Sequence, residues 1–209
     1  MRDNFHIIEP LLDFKEPNTF YFIQILKRRK DNPGLKTDVQ TIDNLYIYTP
    51  EDLNKLREKI VERCTKNNAR AYINLNRLDT EKIALQTLRK IADLVIQGDY
   101  RAVKNAYSSV YGTYHSESEK RWVVDIDSDV IHLKDEVRQV IENLQREIKG
   151  HNYRILAEVP TRSGVHLITN PFNMHLFRKI MAERANPAED GYLKIDVQKN
   201  SPTILYDGA

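Results

Sequence analysis

The chain has 209 residues, and 32 Lys and Arg against 30 Asp and Glu leave a formal charge of +2. Its 41% hydrophobic and 30% charged content excludes disordered, collagen-like and low-complexity classes and leaves enough apolar matter for a real core. No apolar run approaches the roughly 18 residues of a membrane span, the N-terminus carries no apolar signal region, and a single cysteine, Cys64, excludes an internal disulfide framework or a cysteine-based zinc site. A cytoplasmic protein with no membrane partner is expected, and any basic footprint for nucleic acid has to be local.

In chain order, 20–26 is a β-favouring run. The basic tetrad Lys27-Arg28-Arg29-Lys30 and the turn signal Asp31-Asn32-Pro33-Gly34 follow it. A second run, 39–48, pairs back as a ribbon. The tetrad reads either as a grip on template phosphates or as a solvated hairpin tip. Thr49-Pro50-Glu51-Asp52 opens a helix with apolar positions Leu53, Leu56, Ile60 and Cys64. A short strand covers 71–75, and Asp79-Thr80-Glu81 opens a helix with the stripe Ile83, Leu88, Ile91 and Val95. Tyr100, Tyr107, Tyr111 and Tyr114 fall near one helical face, which reads as core or as a stacking platform.

The second half is more regular. A strand at 122–126 leads into a helix through Val137, Ile141, Leu144 and Ile148 that ends at Gly150. Strands at 153–159 and 165–169 flank a turn at 160–164, Leu176 and Ile180 mark another helix, and strands at 192–197 and 203–206 close the chain. The order β-α-β-β-α-β, with one extra strand appended, is the ferredoxin-like pattern: the first and third strands central, the fourth beside the first, two helices on one face and the other face open.

Side chains alternate along a strand, so parity sorts them. Trp122, Val124 and Ile126 share one face, and Asp125 and Asp127 the other. Val165 and Leu167 oppose His166, while Ile195 and Val197 oppose Asp196. In the ferredoxin order Asp125, Asp127, His166 and Asp196 converge on the uncovered face. With 16 Asp in the chain, about one Asp-x-Asp arises by chance, so the pair alone is weak evidence. Three acids on neighbouring strands need a cation, and oxygen-rich clusters of this kind suit Mg²⁺ or Mn²⁺.

Val-Val-Asp125-Ile-Asp127 resembles the first catalytic motif of the archaeo-eukaryotic primase superfamily. Thr161-Arg162-Ser163-Gly164-Val165-His166 resembles its second motif, and Leu193-Lys194-Ile195-Asp196 its third. The stretch from Asp196 to Asn200 is also similar to polymerase domains of bacterial end-joining ligases. The resemblance implies an α+β primase-polymerase core, an N-terminal α/β lobe (1–118) packed on a C-terminal RRM-like catalytic lobe (119–209), with the active site between them.

It further implies template-directed nucleotidyl transfer on a two-metal Mg²⁺ or Mn²⁺ site: Asp125 and Asp127 bridging both ions, Asp196 serving mainly one. His166 and Ser163, with the turn amides beside Gly164, would bind the triphosphate of an NTP or dNTP. Arg162 is either a nucleotide contact or a surface arginine, and Asp129 reads as turn or capping chemistry. Asn76-Arg77 resembles an Asn-x-Arg-like segment of some primase-polymerases. Expected partners are single-stranded or primed template DNA or RNA and a helicase or accessory replication protein on a separate chain. The sequence holds neither a Cys/His zinc module nor a P-loop, so primer extension is expected over de novo priming. The alternatives are a non-catalytic nucleic-acid-binding protein on the same fold and a metal-dependent nuclease.

Overall fold

The computed structural model describes residues 1–111, 120–127, 131–147, 155–184, 195–200 and 202–208. Tyr114, Asp129, Ile148, Gly150, Tyr153, Tyr192, Leu193 and Lys194, which entered the sequence reading, lie outside the described residues. The fold is mixed α+β, with two antiparallel sheets.

The two β-favouring runs form a ribbon of β2 (Thr19–Arg28) and β3 (Val39–Ile47), with Tyr21 opposite Ile47 and Arg28 opposite Val39. α2 (Pro50–Asn67) starts on a capping box. Thr49 Oγ1 accepts from the Asp52 amide at 3.2 Å, and the Asp52 carboxylate accepts from the Thr49 amide at 3.0 Å. Its Leu53, Ile60 and Cys64 are buried against Ile23 and Ile25 of β2 and Ile73 of β4 (Arg70–Ile73). β4 runs antiparallel to β2, and the short β5 (Leu78–Asp79) pairs with the start of β2. The sheet built on β2 is therefore antiparallel throughout these pairings.

Asp79 caps α3 (Thr80–Ile96) by accepting from the Lys82 amide at 2.9 Å. Its inward residues are Ile83 and Leu94, whereas Leu88 and Val95 of the expected stripe are exposed. Ile83 falls inward as expected and Ile91 is half-buried, while Val95 lies one residue, about 100° of rotation, past the buried Leu94. α4 (Ala106–Tyr111) covers the outer face of the ribbon, where Phe22 and Tyr111 stack with ring centroids 4.1 Å apart. Tyr111 is core, Tyr107 packs edge-on against Tyr46, and Tyr100 is exposed beyond the end of α3.

The second sheet holds β6 (Trp122–Ile126), β7 (Ile155–Pro160), β8 (Val165–Thr169) and β9 (Ile195–Gln198), in the order β7-β8-β6-β9. α5 (Ile131–Glu147) and α6 (Met174–Arg184) cover one face, where Val124, Ile126, Leu167, Val137, Ile141 and Phe177 share a core.

Two features depart from the sequence reading. The appended strand, β10 (Thr203–Asp207), does not extend the second sheet. It enters the first, between β4 and β1 (Arg2–Asp3), giving the order β1-β10-β4-β2-β3. The face expected to be open is also partly covered. Val123, Val159 and Ile168 point away from α5 and α6 and bury against Phe5 and Ile8 of α1 (Phe5–Ile8) and Leu205 of β10. Leaving three such side chains in water would cost on the order of 1.5–3 kcal/mol each. The two sheets therefore meet along that face, and a cleft remains where polar side chains replace apolar ones.

Candidate active site

The cleft is a pocket of about 360 Å³ between the two sheets. The second sheet contributes Asp125 and Asp127 from β6 and its end, His166 from β8, and Arg162 and Ser163 from the β7–β8 turn. The first contributes Arg28 and Lys30 from the end of β2, and Tyr72 from β4. A volume in this range suits a small-molecule ligand. The acids lie on the wall of the second sheet with Arg162 at its edge, and Arg28 and Lys30 lie on the facing wall.

Register explains the acidic wall. In the ladder Asp125 stands opposite His166 on one side and opposite Asp196 on the other, so all three share a face. His166 is buried: its Nδ1 lies 2.9 Å from Thr203 Oγ1 of β10, and its Nε2 3.4 Å from Asp125 Oδ1. The threonine hydroxyl can donate to Nδ1 or accept from it, so the contact orients the ring for either tautomer. Asp125 Oδ1 is buried and has no hydrogen-bond partner among the described residues. Such an orphan oxygen is a natural seat for a cation.

Asp127 lies just past the end of β6, exposed, and lines the same pocket. Asp196 does not. Its carboxylate is exposed and accepts from Gln198 Nε2 at 2.8 Å. Among the described residues no three Asp, Glu, His or Cys side chains converge closely enough to hold one ion. The expected trio thus shares a sheet face without forming one donor set. Mutual repulsion keeps like charges apart, and the Gln198 amide gives Asp196 a donor of its own. The donors lining the pocket, two carboxylates with one orphan oxygen, fit a hard divalent ion, with Asp196 the nearest further carboxylate along the ladder.

The turn is built as expected, with different duties inside it. The Thr161 amide donates to the Gly164 carbonyl at 2.9 Å, closing a tight loop that leaves Ser163 exposed at the pocket rim. Gly164 is half-buried in the loop, away from the pocket lining. Asn4 Nδ2 donates to the Pro160 carbonyl at 3.1 Å and Arg2 Nη2 to the Arg162 carbonyl at 3.5 Å, so the loop is tied to the first sheet. Arg162 Nη1 donates to Asp31 at 2.7 Å.

The basic tetrad divides between the end of β2 at Arg28 and the helical turn Arg29–Asp31 that follows it. Arg28 and Lys30 face the pocket, and Arg28 Nη1 donates to the Tyr72 hydroxyl at 3.2 Å. Arg29 points away, pairing with Asp38 at 3.1 Å and donating to the Lys36 carbonyl. Burial first, then the charges of Arg28 and Arg70, lower the pKa of Lys30, with Asp31 and Asp127 opposing. A crowded cation of this kind gains from an incoming anion. Arg28, Lys30, Tyr72 and Thr203 were not among the expected site residues. Arg28 and Lys30 entered the sequence reading only through the tetrad as a grip on template phosphates, and nothing local marked Tyr72 or Thr203.

Asn76 and Arg77 lie elsewhere. Asn76 is buried, donating to the Arg121 carbonyl and Asn200 Oδ1 at 3.1 Å each and accepting from the Arg121 amide at 2.8 Å. It clips the first sheet to β6 and to the end of β9. Arg77 pairs with Glu16 at 3.4 Å and Asp13 at 3.8 Å.

Among the described residues no helix is long and apolar enough to cross a membrane. Comparisons with protein-family models, with curated proteins and with solved structures return no match for this chain.

Proposed function

We propose that the chain is a metal-dependent nucleotidyltransferase of primase-polymerase type, adding nucleotides to the 3′-hydroxyl of a strand paired to a template. One observation carries the reading: Asp125, Asp127 and His166 share a single pocket with Arg28, Lys30 and Arg162. A ligand that fits must present a cation to the acids and several negative charges to the basic groups. A metal-bound nucleoside triphosphate does both. The strand order β7-β8-β6-β9 beneath α5 and α6 is the one a ferredoxin-like, RRM-like lobe has, and we read the first sheet with its helices as the lobe packed on it.

Asp125 and Asp127 would hold Mg²⁺ or Mn²⁺, with Asp196 available across the ladder. The ion supplies charge neutralisation at the reacting phosphate and a more acidic attacking hydroxyl. The chain's own groups do the rest. Thr203 holds the imidazole of His166 in place, so that its other ring nitrogen would meet a phosphate oxygen. Ser163 adds a hydroxyl at the rim, and Arg28, Lys30 and Arg162 balance the oligophosphate. Cleavage of a phosphodiester, with one charge per linkage, gives no reason to gather three cations around two acids. That contrast favours transfer over hydrolysis.

The test is incubation with Mn²⁺, labelled nucleotides and a primed template, repeated with Asp125→Ala plus Asp127→Ala. The reading predicts extension that the double variant loses. If the ion supplies several kcal/mol, the loss is about 10³-fold or more. Template cleavage instead would identify a nuclease. Template binding without chemistry, unaltered in the variant, would identify a binding protein.

A further inference from the structure

Asp31 closes the short helical turn Arg29–Asp31 at the end of β2, and its side chain is 3% exposed. Oδ1 accepts from Arg70 Nη2 at 2.6 Å and from Arg162 Nη1 at 2.7 Å, while Oδ2 is buried without a hydrogen-bond partner among the described residues. Arg70, itself buried, lies 3.6 Å from Asp207 of β10. Burial acts against the charge on Arg70, but Tyr72, Asp207 and Asp31 outweigh it and raise its pKa. The unit is two carboxylates and two guanidiniums, with the Lys30 ammonium close enough to feel Asp31. Withdrawing Arg162 would take one of the two charged donors from Asp31 Oδ1, a costly loss for a buried carboxylate.

That requirement fixes where the Arg162 guanidinium sits. Its side chain nonetheless remains 43% exposed and lines the pocket. Guanidinium has five N–H donors in a planar fork, so engaging Asp31 through Nη1 leaves donors for a second oxyanion. A free surface arginine gives up rotamer entropy when it grips an anion; one already held in place gives up less. We infer that Asp31 is a positioning residue that holds the Arg162 guanidinium at the pocket wall as a preorganised donor for a phosphate oxyanion. This rests on the nucleotidyl-transfer reading of the pocket. Asp31 belongs to the first sheet and Arg162 to the second, so one carboxylate sets a binding group across the cleft. The Asn4 and Arg2 bonds to the same turn are independent of Asp31, so its removal frees the guanidinium without freeing the loop.

The experiment is calorimetric titration of the full chain with inorganic pyrophosphate, using wild type, Asp31→Asn, Arg162→Gln and the double variant. Charged hydrogen bonds are strong enough that Arg162→Gln should weaken binding about 10-fold or more, and Asp31→Asn about 3- to 10-fold. In the Arg162→Gln background, Asp31→Asn should add less than about twofold, because its route to the ligand is gone. A merely structural role would weaken both backgrounds equally, and that result, or no effect of Asp31→Asn, overturns the inference; so does wild type that binds no pyrophosphate. Should Asp31→Asn not fold, Arg162→Lys keeps the positive charge but lacks the fork: several-fold weaker binding supports the inference, and wild-type affinity overturns it. Nucleotide incorporation by the same samples separates the two levels. Coupled binding without incorporation defeats the transferase reading alone, and incorporation with uncoupled variants defeats the role of Asp31 alone.

Discussion

Thr203 Oγ1 and His166 Nδ1 lie 2.9 Å apart across the boundary between the two sheets, both residues buried. β10 enters the first sheet, yet its first side chain orients an imidazole of the second. Thr203→Val keeps the shape and removes the hydroxyl, leaving Nδ1 buried and unpaired. A loss of about 1–3 kcal/mol in urea unfolding is expected, with Thr203→Ser retaining most of the stability. Equal stability of the valine variant would mean that the hydroxyl does not hold the ring.

Lys30 gives a pH dependence. Its pKa lies below the ordinary 10.5, chiefly through burial and then through Arg28 and Arg70. In the window between the lowered value and 10.5 the unfolded chain binds more protons than the folded one, so stability rises with pH there. Below the window the charged ammonium is a constant burden. Lys30→Met should therefore raise the melting temperature at neutral pH, flatten the rise below pH 10.5 and weaken pyrophosphate binding. A melting temperature that falls would contradict this.

Cys64 is buried under α2, and its thiol pKa is pushed up to about 12, by burial first and by the charge of Asp207 second, against a backbone hydrogen bond from Ala71. At pH 8 the thiolate fraction is then about 10⁻⁴, so the native thiol should be inert to an aromatic disulfide reagent. One thiol should appear on adding denaturant. Rapid labelling of native protein would place Cys64 at the surface.

Gly208 follows β10 and donates its amide to the Ala69 carbonyl at 3.1 Å. A Cβ there would lie 2.6 Å from the backbone carbon of Cys64, closer than any rotamer change relieves. Gly208→Ala should cost about 1–3 kcal/mol, read from the denaturation midpoint. Undiminished stability would mean that this end of the chain does not pack on α2.

What was legible in the sequence was periodic. Alternation assigned Trp122, Val124 and Ile126 to the helix-covered face and Asp125 to the other, and the capping signal at Thr49 marked the start of α2. What was not legible was long-range. Asp31 read as a turn residue because its partner Arg162 is 131 positions away. Thr203 read as part of a last short strand because parity says nothing about which sheet a strand joins. The same parity that placed Asp125 also placed Val123 on the supposedly open face, and that residue was the local clue that the first sheet covers it. Asp196 shows the limit of face assignment: register put it beside Asp125, but Gln198, two residues along, took its carboxylate.

The most direct measurement is anomalous diffraction from crystals soaked with Mn²⁺ and a non-hydrolysable nucleoside triphosphate. The account predicts a manganese peak against Asp125 and Asp127, Asp196 released from Gln198 toward it, and phosphate density reaching Arg162, Lys30 and His166. Manganese bound elsewhere, or nucleotide outside the cleft between the sheets, would contradict it.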